Sequence, residues 1–192
     1  ALKLAGKKII YINCSGSSVG MVPETENCEA IIQAWYAGEA GGQAIADVLF
    51  GDYNPSGKLP VTFYKNLQQI PDFEEYSMKG RTYRYMTDPL FPFGFGLSYT
   101  TFSIGNGKLY KNVIGKGENA ELNITVSNTG KVAGTEIVQI YIHKINDVNG
   151  PLKTLRGFRR VNLEPGKSTE VTFDLPSAAF EFFDRSTGKM TV

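Results

Sequence analysis

The stretch AWYAGEAGGQAIADVLFGDYNPSGKLPVTF, residues 34–63, decides how the first part of the chain folds. It contains five glycines and Trp35, the single tryptophan among 192 residues, with Glu39 lying between two glycines. Its middle section, residues 41–51, is typical of a short helix that ends at Gly51 as a left-handed residue. The apolar face of this predicted helix is formed by Ala44, Ile45, Val48 and Leu49.

Two short apolar runs precede the predicted helix, KKIIYINCSG at residues 7–16 and EAIIQAWYAG at residues 29–38. Continuous runs of this length that end in glycine are typical of strands buried on both faces of a parallel sheet. Strands that alternate with helices indicate an α/β arrangement. We therefore expect residues 1–60 to be part of a parallel α/β sheet with helices on its faces.

The segment WYAGEAGG, residues 35–42, lies where the second predicted strand gives way to the helix. Ligands of open α/β sheets gather at the carboxyl ends of the strands, where helix N-termini also offer free N–H groups. Trp35, Tyr36 and Glu39 are therefore the candidate substrate-binding residues, with one of the rings as a platform. The alternative is that Trp35 and Tyr36 continue the strand and pack in the core. A phosphate loop is excluded because GEAGGQA lacks the Gly-Lys-Ser/Thr ending.

Composition excludes several functions and predicts no cofactor. The net charge is +1 with scattered Lys and Arg, which argues against nucleic-acid binding, and no apolar run reaches the roughly 18 residues of a membrane span. Cys14 and Cys28 lack metal-ligand spacing, so we expect buried free thiols and no metal site. His143, the only histidine, is expected on the surface. The opening residues ALKLAGKKII resemble neither a signal peptide nor a chain start, which suggests a piece of a longer protein.

Residues 65–100 change in character: they are rich in proline, glycine and aromatic residues and show no helical period. Such a segment is too aromatic for a flexible linker. We therefore expect residues 76–100 to be an ordered, aromatic-rich linker between two domains. Arg81 and Arg84 flank Tyr83, a pattern that suits a strand or a surface clamp.

From about residue 101 the apolar residues recur with a period of two. The runs AELNITVS, EIVQIYIH and STEVTFDL alternate in this way, and turn sequences such as SNTGKVAG and LEPGKS separate them. Several short alternating strands predict an immunoglobulin or fibronectin type III-like β-sandwich over residues 101–192, with its last strand incomplete. The alternation also predicts polar outward faces that offer no platform of stacked aromatic rings.

Three motifs in order resemble the C-terminal part of glycoside hydrolase family 3, which includes β-glucosidases and β-xylosidases. They are residues 34–63, PLFPFGFGLSYTTF at residues 89–102, and LRGFRRVNLEPGKSTEVTF at residues 155–173. The resemblance implies an α+β chain in two parts. Residues 1–75 would be the C-terminal part of a parallel α/β sandwich domain, and residues 101–192 a fibronectin type III-like β-sandwich. The join between residues 81 and 100 is most similar to the bacterial branch of the family.

The resemblance also implies a chemistry. The family hydrolyses terminal β-xylosyl or β-glucosyl residues in plant-polysaccharide breakdown with two carboxylates, which in retaining enzymes lie about 5 Å apart. Its nucleophile belongs to a barrel domain and its acid/base Glu precedes residue 1, so no catalytic residue is predicted in this chain. Glu39 and Asp47 match the family pattern as structural residues only. The implied partners are the N-terminal barrel, the remaining α/β segments and an oligosaccharide substrate, and the implied location is periplasmic or secreted in a bacterium.

A second reading from a different class stays open: a non-catalytic carbohydrate-binding or adhesive β-sandwich module. A β-sandwich favours neither reading, because the fold does not determine the function. The α/β segment at residues 1–75 favours the glycosidase reading, since it begins within a domain.

Overall fold

A computed structural model describes all residues from 1 to 192, and these form two compact units. The first unit comprises Ala1–Tyr53 and Lys58–Gly96, and the second comprises Asn54–Gly57 and Leu97–Val192. The chain therefore passes from one unit to the other three times, at residues 53–54, 57–58 and 96–97.

The first unit is built on two parallel strands. Strand β1, Ile10–Asn13, pairs in parallel with β2, Ala30–Gln33, with Ile10 opposite Ala30. The crossover between them contains helix α1, Val22–Asn27. The parallel pairing predicted from the two apolar runs is confirmed. The remaining elements of this unit are helix α2, Gly41–Phe50, a 3-10 turn, Leu67–Gln69, and the single helical turn α3, Thr82–Tyr85.

Two details of the strand prediction are wrong. Strand β1 is not buried on both faces: Ile10 is 51% exposed, since β2 is the one strand that pairs with β1. The second strand ends at Gln33 and does not reach the aromatic pair, because Trp35 has a φ of 57°, which no strand accommodates.

Helix α2 is confirmed with its predicted end. Gly51 adopts a φ of 86° and its N–H donates to the Val48 carbonyl, as in a left-handed C-terminal cap. The start of the helix also requires glycine, because a Cβ on Gly41 would lie 2.2 Å from the Cβ of Ala37. The abundance of glycine around this helix therefore has a local steric cause at both ends.

Aromatic packing centres the first unit on Phe63, which is fully buried. The rings of Trp35 and Phe91 meet it edge-on, with centroids 6.2 and 6.5 Å away. Phe95 in turn stacks on Phe91 at 5.4 Å. The Phe63 N–H also donates to the Phe91 carbonyl at 2.9 Å. We call Trp35, Phe63, Phe91 and Phe95 the aromatic cluster.

The segment RTYRY, residues 81–85, forms helical turn α3 and not a strand. The guanidinium of Arg81 donates to the carbonyls of Pro71 and Asp72 at 3.1 and 2.7 Å, so the clamp alternative describes this residue. The ring of Tyr83 stacks on Phe93 with centroids 4.5 Å apart. This part of the chain is therefore ordered by stacking and by an arginine that binds backbone.

The second unit is a sandwich of antiparallel strands, which confirms the predicted fold class. Its strands are β3 Phe102–Ile104, β4 Lys108–Leu109, β5 Ala120–Asn128, β6 Gly134–Ile142, β7 Thr154–Leu163, β8 Ser168–Leu175, β9 Phe182–Asp184 and β10 Lys189–Thr191, with a 3-10 turn at Ser177–Phe180. In the larger sheet, β8 pairs with β5 from Ala120 to Ser127, while β3 and β4 pair with different ends of β5. A second sheet pairs β6 with β7, and a terminal hairpin pairs β9 with β10.

The core of the sandwich consists of the inward residues of the alternating strands, as their period predicts. Its members are Ala120, Ile124, Val126, Val138, Ile140, Val161, Leu163, Val171, Phe173, Leu175 and Ala179. Three aromatic rings of this unit are nevertheless well exposed: Tyr110, Phe158 and Phe183 are 80%, 61% and 60% exposed. Phe158 and Phe183 lie in β7 and β9, outside the three alternating runs, and Tyr110 follows the end of β4.

Two asparagine side chains tie the loops of the second unit to its strands. Asn128, 1% exposed, accepts from Thr100 Oγ1 and the Gly130 N–H and donates to the carbonyls of Val132 and Leu163, at 2.7 to 3.0 Å. Its amide thus uses all four of its hydrogen-bonding positions.

Asn54 has the same role in the segment that enters this unit from the first part of the chain. Its Oδ1 accepts from Ser98 Oγ at 2.9 Å and from the Tyr99 N–H at 2.8 Å, and its Nδ2 donates to the Ala133 carbonyl at 2.9 Å. A Cβ on Gly134 would lie 2.7 Å from this amide, so the neighbouring strand must begin with glycine.

The cysteine prediction is half correct. Cys14 and Cys28 are free, but Cys14 is exposed and Cys28 is half-buried. His143 is exposed, as expected. No helix is long and apolar enough to cross a membrane.

Asn128→Ala should lower the free energy of unfolding by about 2–3 kcal/mol, because it leaves the buried Leu163 carbonyl and the buried Thr100 hydroxyl without their partner. The matched control is Asn123→Ala on the same strand, whose half-buried amide bonds to Glu121 and Thr172 and should cost under about 1 kcal/mol. Urea unfolding followed by far-UV circular dichroism measures the free energy of unfolding of both variants. Equal losses in the two variants would contradict the role assigned to Asn128.

Phe63→Ala should destabilise the first unit by about 3–5 kcal/mol, the usual cost of removing a fully buried ring. Phe73→Ala is the control, since Phe73 is 89% exposed and should cost under about 0.5 kcal/mol. Trp35 fluorescence reports the change locally because its ring contacts Phe63. An unchanged emission spectrum in Phe63→Ala would show that this packing does not exist in solution.

Candidate functional site

Polar side chains meet at the carboxyl ends of β1 and β2. Asn13 and Gln33, the last residues of the two strands, lie opposite each other, and Asn13 Nδ2 donates to Gln33 Oε1 at 2.6 Å. Ser15 Oγ accepts from Asn13 at 2.8 Å, while Gln33 Nε2 donates to the Ser15 carbonyl at 3.1 Å. Asn13 is 7% exposed, so this network is the polar floor of the strand ends.

Trp35 turns the chain away from this floor. Its φ of 57° lies in the left-handed region, which is costly for a bulky residue by about 1–3 kcal/mol. The ring is half-buried against Phe63, and the Ala34 N–H just before it donates to the Asn13 carbonyl at 2.9 Å. Packing on one side and the strand on the other therefore hold the strained residue in place.

Tyr36 extends from the same turn into solvent and is 80% exposed. One edge of its ring lies against Gly16, where a Cβ would come within 2.6 Å of Tyr36 Cε2. The prediction that both rings pack in the core is wrong for Tyr36, because the left-handed turn at Trp35 sends the next side chain outward. It holds only in part for Trp35, whose ring is half-buried.

Glu39 is exposed in the turn that precedes α2, where the Gly41 N–H donates to the Gly38 carbonyl at 3.0 Å. The structure thus places Trp35, Tyr36 and Glu39 in one loop after β2, with Trp35 as its packed anchor and the other two in solvent. Asp47 lies on α2 and accepts from Gln43 Nε2 one turn earlier at 2.5 Å, which fits a structural residue.

Sequence reasoning missed two groups of residues at this site. Asn13 and Gln33 each follow the apolar residues of their run with an amide side chain. This shared position was the sequence signal that could have predicted their pairing. Gly16 supports the Tyr36 ring by leaving room for it, and nothing in the sequence pointed to that contact. The exposed Tyr36 ring beside Gly16 offers an apolar face that can stack on a sugar ring. The Asn13 amide donates to Gln33 and Ser15, and the Gln33 amide donates to Ser15, so they hold the two strand ends in position.

Three carboxyl groups outside this loop have lowered pKa values. The Ile9 N–H lowers the pKa of Glu29, the Ser77 N–H lowers that of Glu75, and the Ser186 hydroxyl lowers that of Asp184. Glu29 accepts from the residue before β1, whereas Glu75 and Asp184 accept from residues two or three positions later in the chain. No group of three or more His, Cys, Asp or Glu residues is placed to hold a metal ion.

The chain is similar to known proteins along its whole length. Residues 1–99 match the glycosyl hydrolase family 3 C-terminal domain, and residues 136–192 match a fibronectin type III-like domain. A xylan 1,4-beta-xylosidase of Xylanibacter ruminicola is 56% identical over 190 residues, and the match covers 99% of this chain and 22% of that protein. A periplasmic beta-glucosidase of Salmonella typhimurium is 37% identical, with 100% and 28% covered.

Solved structures agree with these relatives. A β-glucosidase of Erythrobacter marinus superimposes with a TM-score of 0.86 at 41% identity, covering all of this chain and 26% of that one. A beta-glucosidase of Listeria innocua in complex with isofagomine gives 0.85 at 29% identity, with 99% and 28% covered. This chain thus spans about a quarter of the length of the proteins it matches. The family match over residues 1–99 includes the α/β unit and its exposed loop. This chain therefore belongs to glycosyl hydrolase family 3, and it consists of a C-terminal domain of that family joined to a fibronectin type III-like domain.

Proposed function

We propose that this chain forms the C-terminal portion of a retaining, exo-acting β-glycosidase. The parent protein hydrolyses terminal β-xylosyl or β-glucosyl residues in plant-polysaccharide breakdown, and this portion has a structural and cleft-supporting role. The observation that carries the proposal is the 56% identity to a xylan 1,4-beta-xylosidase over 99% of this chain. Both units match at once, so the resemblance is not confined to a widespread β-sandwich.

The carboxylates of this chain indicate which part of the parent protein performs the hydrolysis. Retaining hydrolysis needs a nucleophile and an acid/base about 5 Å apart. In the loop after β2 the candidate residues include a single carboxylate, Glu39, which is exposed, and Asp47 is engaged by Gln43 within α2. We infer that an N-terminal barrel and further α/β segments of the same protein supply both catalytic groups.

The loop anchored by Trp35 is then a wall of the sugar cleft. Strained backbone that the surrounding packing maintains is a feature of ligand-binding sites, and Trp35 meets that description. Tyr36 offers an exposed ring to a pyranose face, and Glu39 offers acceptors for hydroxyl groups. In this role none of the three residues performs a chemical step.

We further propose a periplasmic or secreted location in a bacterium. The support is the periplasmic beta-glucosidase of Salmonella typhimurium, which is 37% identical to this chain in a match that covers 100% of this chain and 28% of that protein.

A chimera tests the division of chemistry. Residues 1–192 should not hydrolyse aryl β-xylosides or β-glucosides by themselves, but they should restore activity when they replace the matching segment of the Xylanibacter ruminicola xylosidase. That xylosidase without the segment is the inactive control. Turnover by the 192-residue chain that disappears in Glu39→Gln would make Glu39 a catalytic residue and overturn the proposal.

Tyr36→Ala in the active chimera should raise KM about three- to tenfold with kcat nearly unchanged, as expected from the loss of about 1 kcal/mol of ring contact. Its melting temperature should not move, because the residue is 80% exposed. Gly16→Ala should have a similar effect on KM, since a Cβ there displaces the ring.

Trp35→Ala is the matched contrast. It should lower the free energy of unfolding by about 2 kcal/mol, less than a fully buried ring would cost, because its ring is half-buried. An unchanged KM in both Tyr36→Ala and Gly16→Ala would contradict the proposal that this loop lines the sugar cleft.

A further inference from the structure

The second unit carries a cleft of its own, at the start of β5 and the end of β8. It has a volume of about 360 Å³, within the range of small-molecule sites, and is lined by Tyr110, Lys111, Asn119, Ala120, Glu121 and Asp174. We propose that this cleft binds a short neutral oligosaccharide without catalysis. The proposal goes beyond the glycosidase role, because the cleft belongs to the fibronectin type III-like unit and needs no active enzyme.

The aromatic side of the cleft is Tyr110. Its ring is 80% exposed, yet its backbone is fixed, since the Tyr110 N–H donates to the Glu121 carbonyl at 3.0 Å. Glu121 is itself part of the cleft, so the ring is tied to the strand that forms the floor. An exposed ring on anchored backbone offers an apolar face for the C–H groups of a pyranose at little cost in conformational entropy.

The polar side contains a carboxylate pair that folding does not explain. Glu121 and Asp174 are direct partners in the antiparallel register of β5 and β8. Like charges directly opposite one another destabilise a sheet. Their four oxygens are acceptors for sugar hydroxyl groups, of which Glu121 Oε1 also accepts from Asn123 at 3.1 Å.

Donors complete the lining. Asn119 Oδ1 accepts from the Ser177 N–H at 2.9 Å, which orients the amide and leaves its NH₂ group to donate. The Lys111 ammonium lies 3.9 Å from Glu118, a distance that leaves it available to the cleft. A ring flanked by acceptors and donors of both kinds matches a neutral polyhydroxyl ligand.

The same residues disfavour other ligands. A metal ion would find two carboxylates together with a lysine ammonium, and no group of three metal-binding side chains exists. A nucleic acid would bring its phosphates close to the two carboxylates, and these like charges repel each other. A cationic peptide satisfies the carboxylates but not the ring and the amide, so it serves as an alternative outcome of the test.

The experiment titrates the ¹⁵N-labelled 192-residue chain with xylohexaose and with cellohexaose. Amide shifts at Tyr110, Glu121 and Asp174 should fit a single site with a dissociation constant of roughly 1 mM, as an open cleft of this size allows. Tyr110→Ala should weaken binding at least fivefold. Phe158→Ala is the matched control: Phe158 is an exposed ring of the same unit outside the lining, and its loss should change nothing.

Asp174→Asn separates binding from stability. It should raise the melting temperature, because it removes a like-charge pair, and should weaken oligosaccharide binding several-fold. A purely structural role for Asp174 predicts no effect on binding. The proposal is overturned if neither oligosaccharide shifts these amides at 10-fold excess over 1 mM, or if trilysine or CaCl₂ shifts them and the sugars do not.

Discussion

The buried amide of Asn128 is the constraint on which the sandwich depends. It joins the start of the unit at Thr100, the turn at Gly130 and the end of β7 at Leu163, each through its own hydrogen bond. An amide in a dry core is stable only when every donor and acceptor is used, so the three segments cannot move independently. The apolar core packs around this arrangement, with Val126 two residues earlier on the same strand fully buried.

The first unit uses a different device, a strained residue held by aromatic packing. Trp35 takes a left-handed backbone because its ring lies against Phe63, which is in turn covered by Phe91. The turn ends β2 and directs Tyr36 into solvent beside Gly16, where we propose that it lines the sugar cleft. A residue that looks like core in the sequence therefore produces an exposed ring at the next position.

Both units expose an anchored tyrosine beside hydrogen-bonding groups, Tyr36 near the amide floor of β1 and β2 and Tyr110 near the carboxylates of β5 and β8. The first is proposed to serve the glycosidase cleft and the second a separate sugar site. Their anchoring differs, through a packed neighbour in one case and a backbone hydrogen bond in the other. Mutations at the two rings therefore distinguish the two roles in a single protein.

Local patterns in the sequence determined the fold class, the parallel β1–β2 pair, helix α2 with its left-handed Gly51 and the alternating strands of the sandwich. Period, length and glycine position decide these features within a few residues of chain. The sequence motifs also determined the family. Only the tertiary structure decided where β2 ends, that Tyr36 and Tyr110 are exposed, and that Glu121 faces Asp174. The φ of Trp35 depends on Phe63, 28 positions later, and the carboxylate pair depends on strand register across 53 residues. Contacts between such distant positions exist only once the chain has folded, so no local pattern could reveal them.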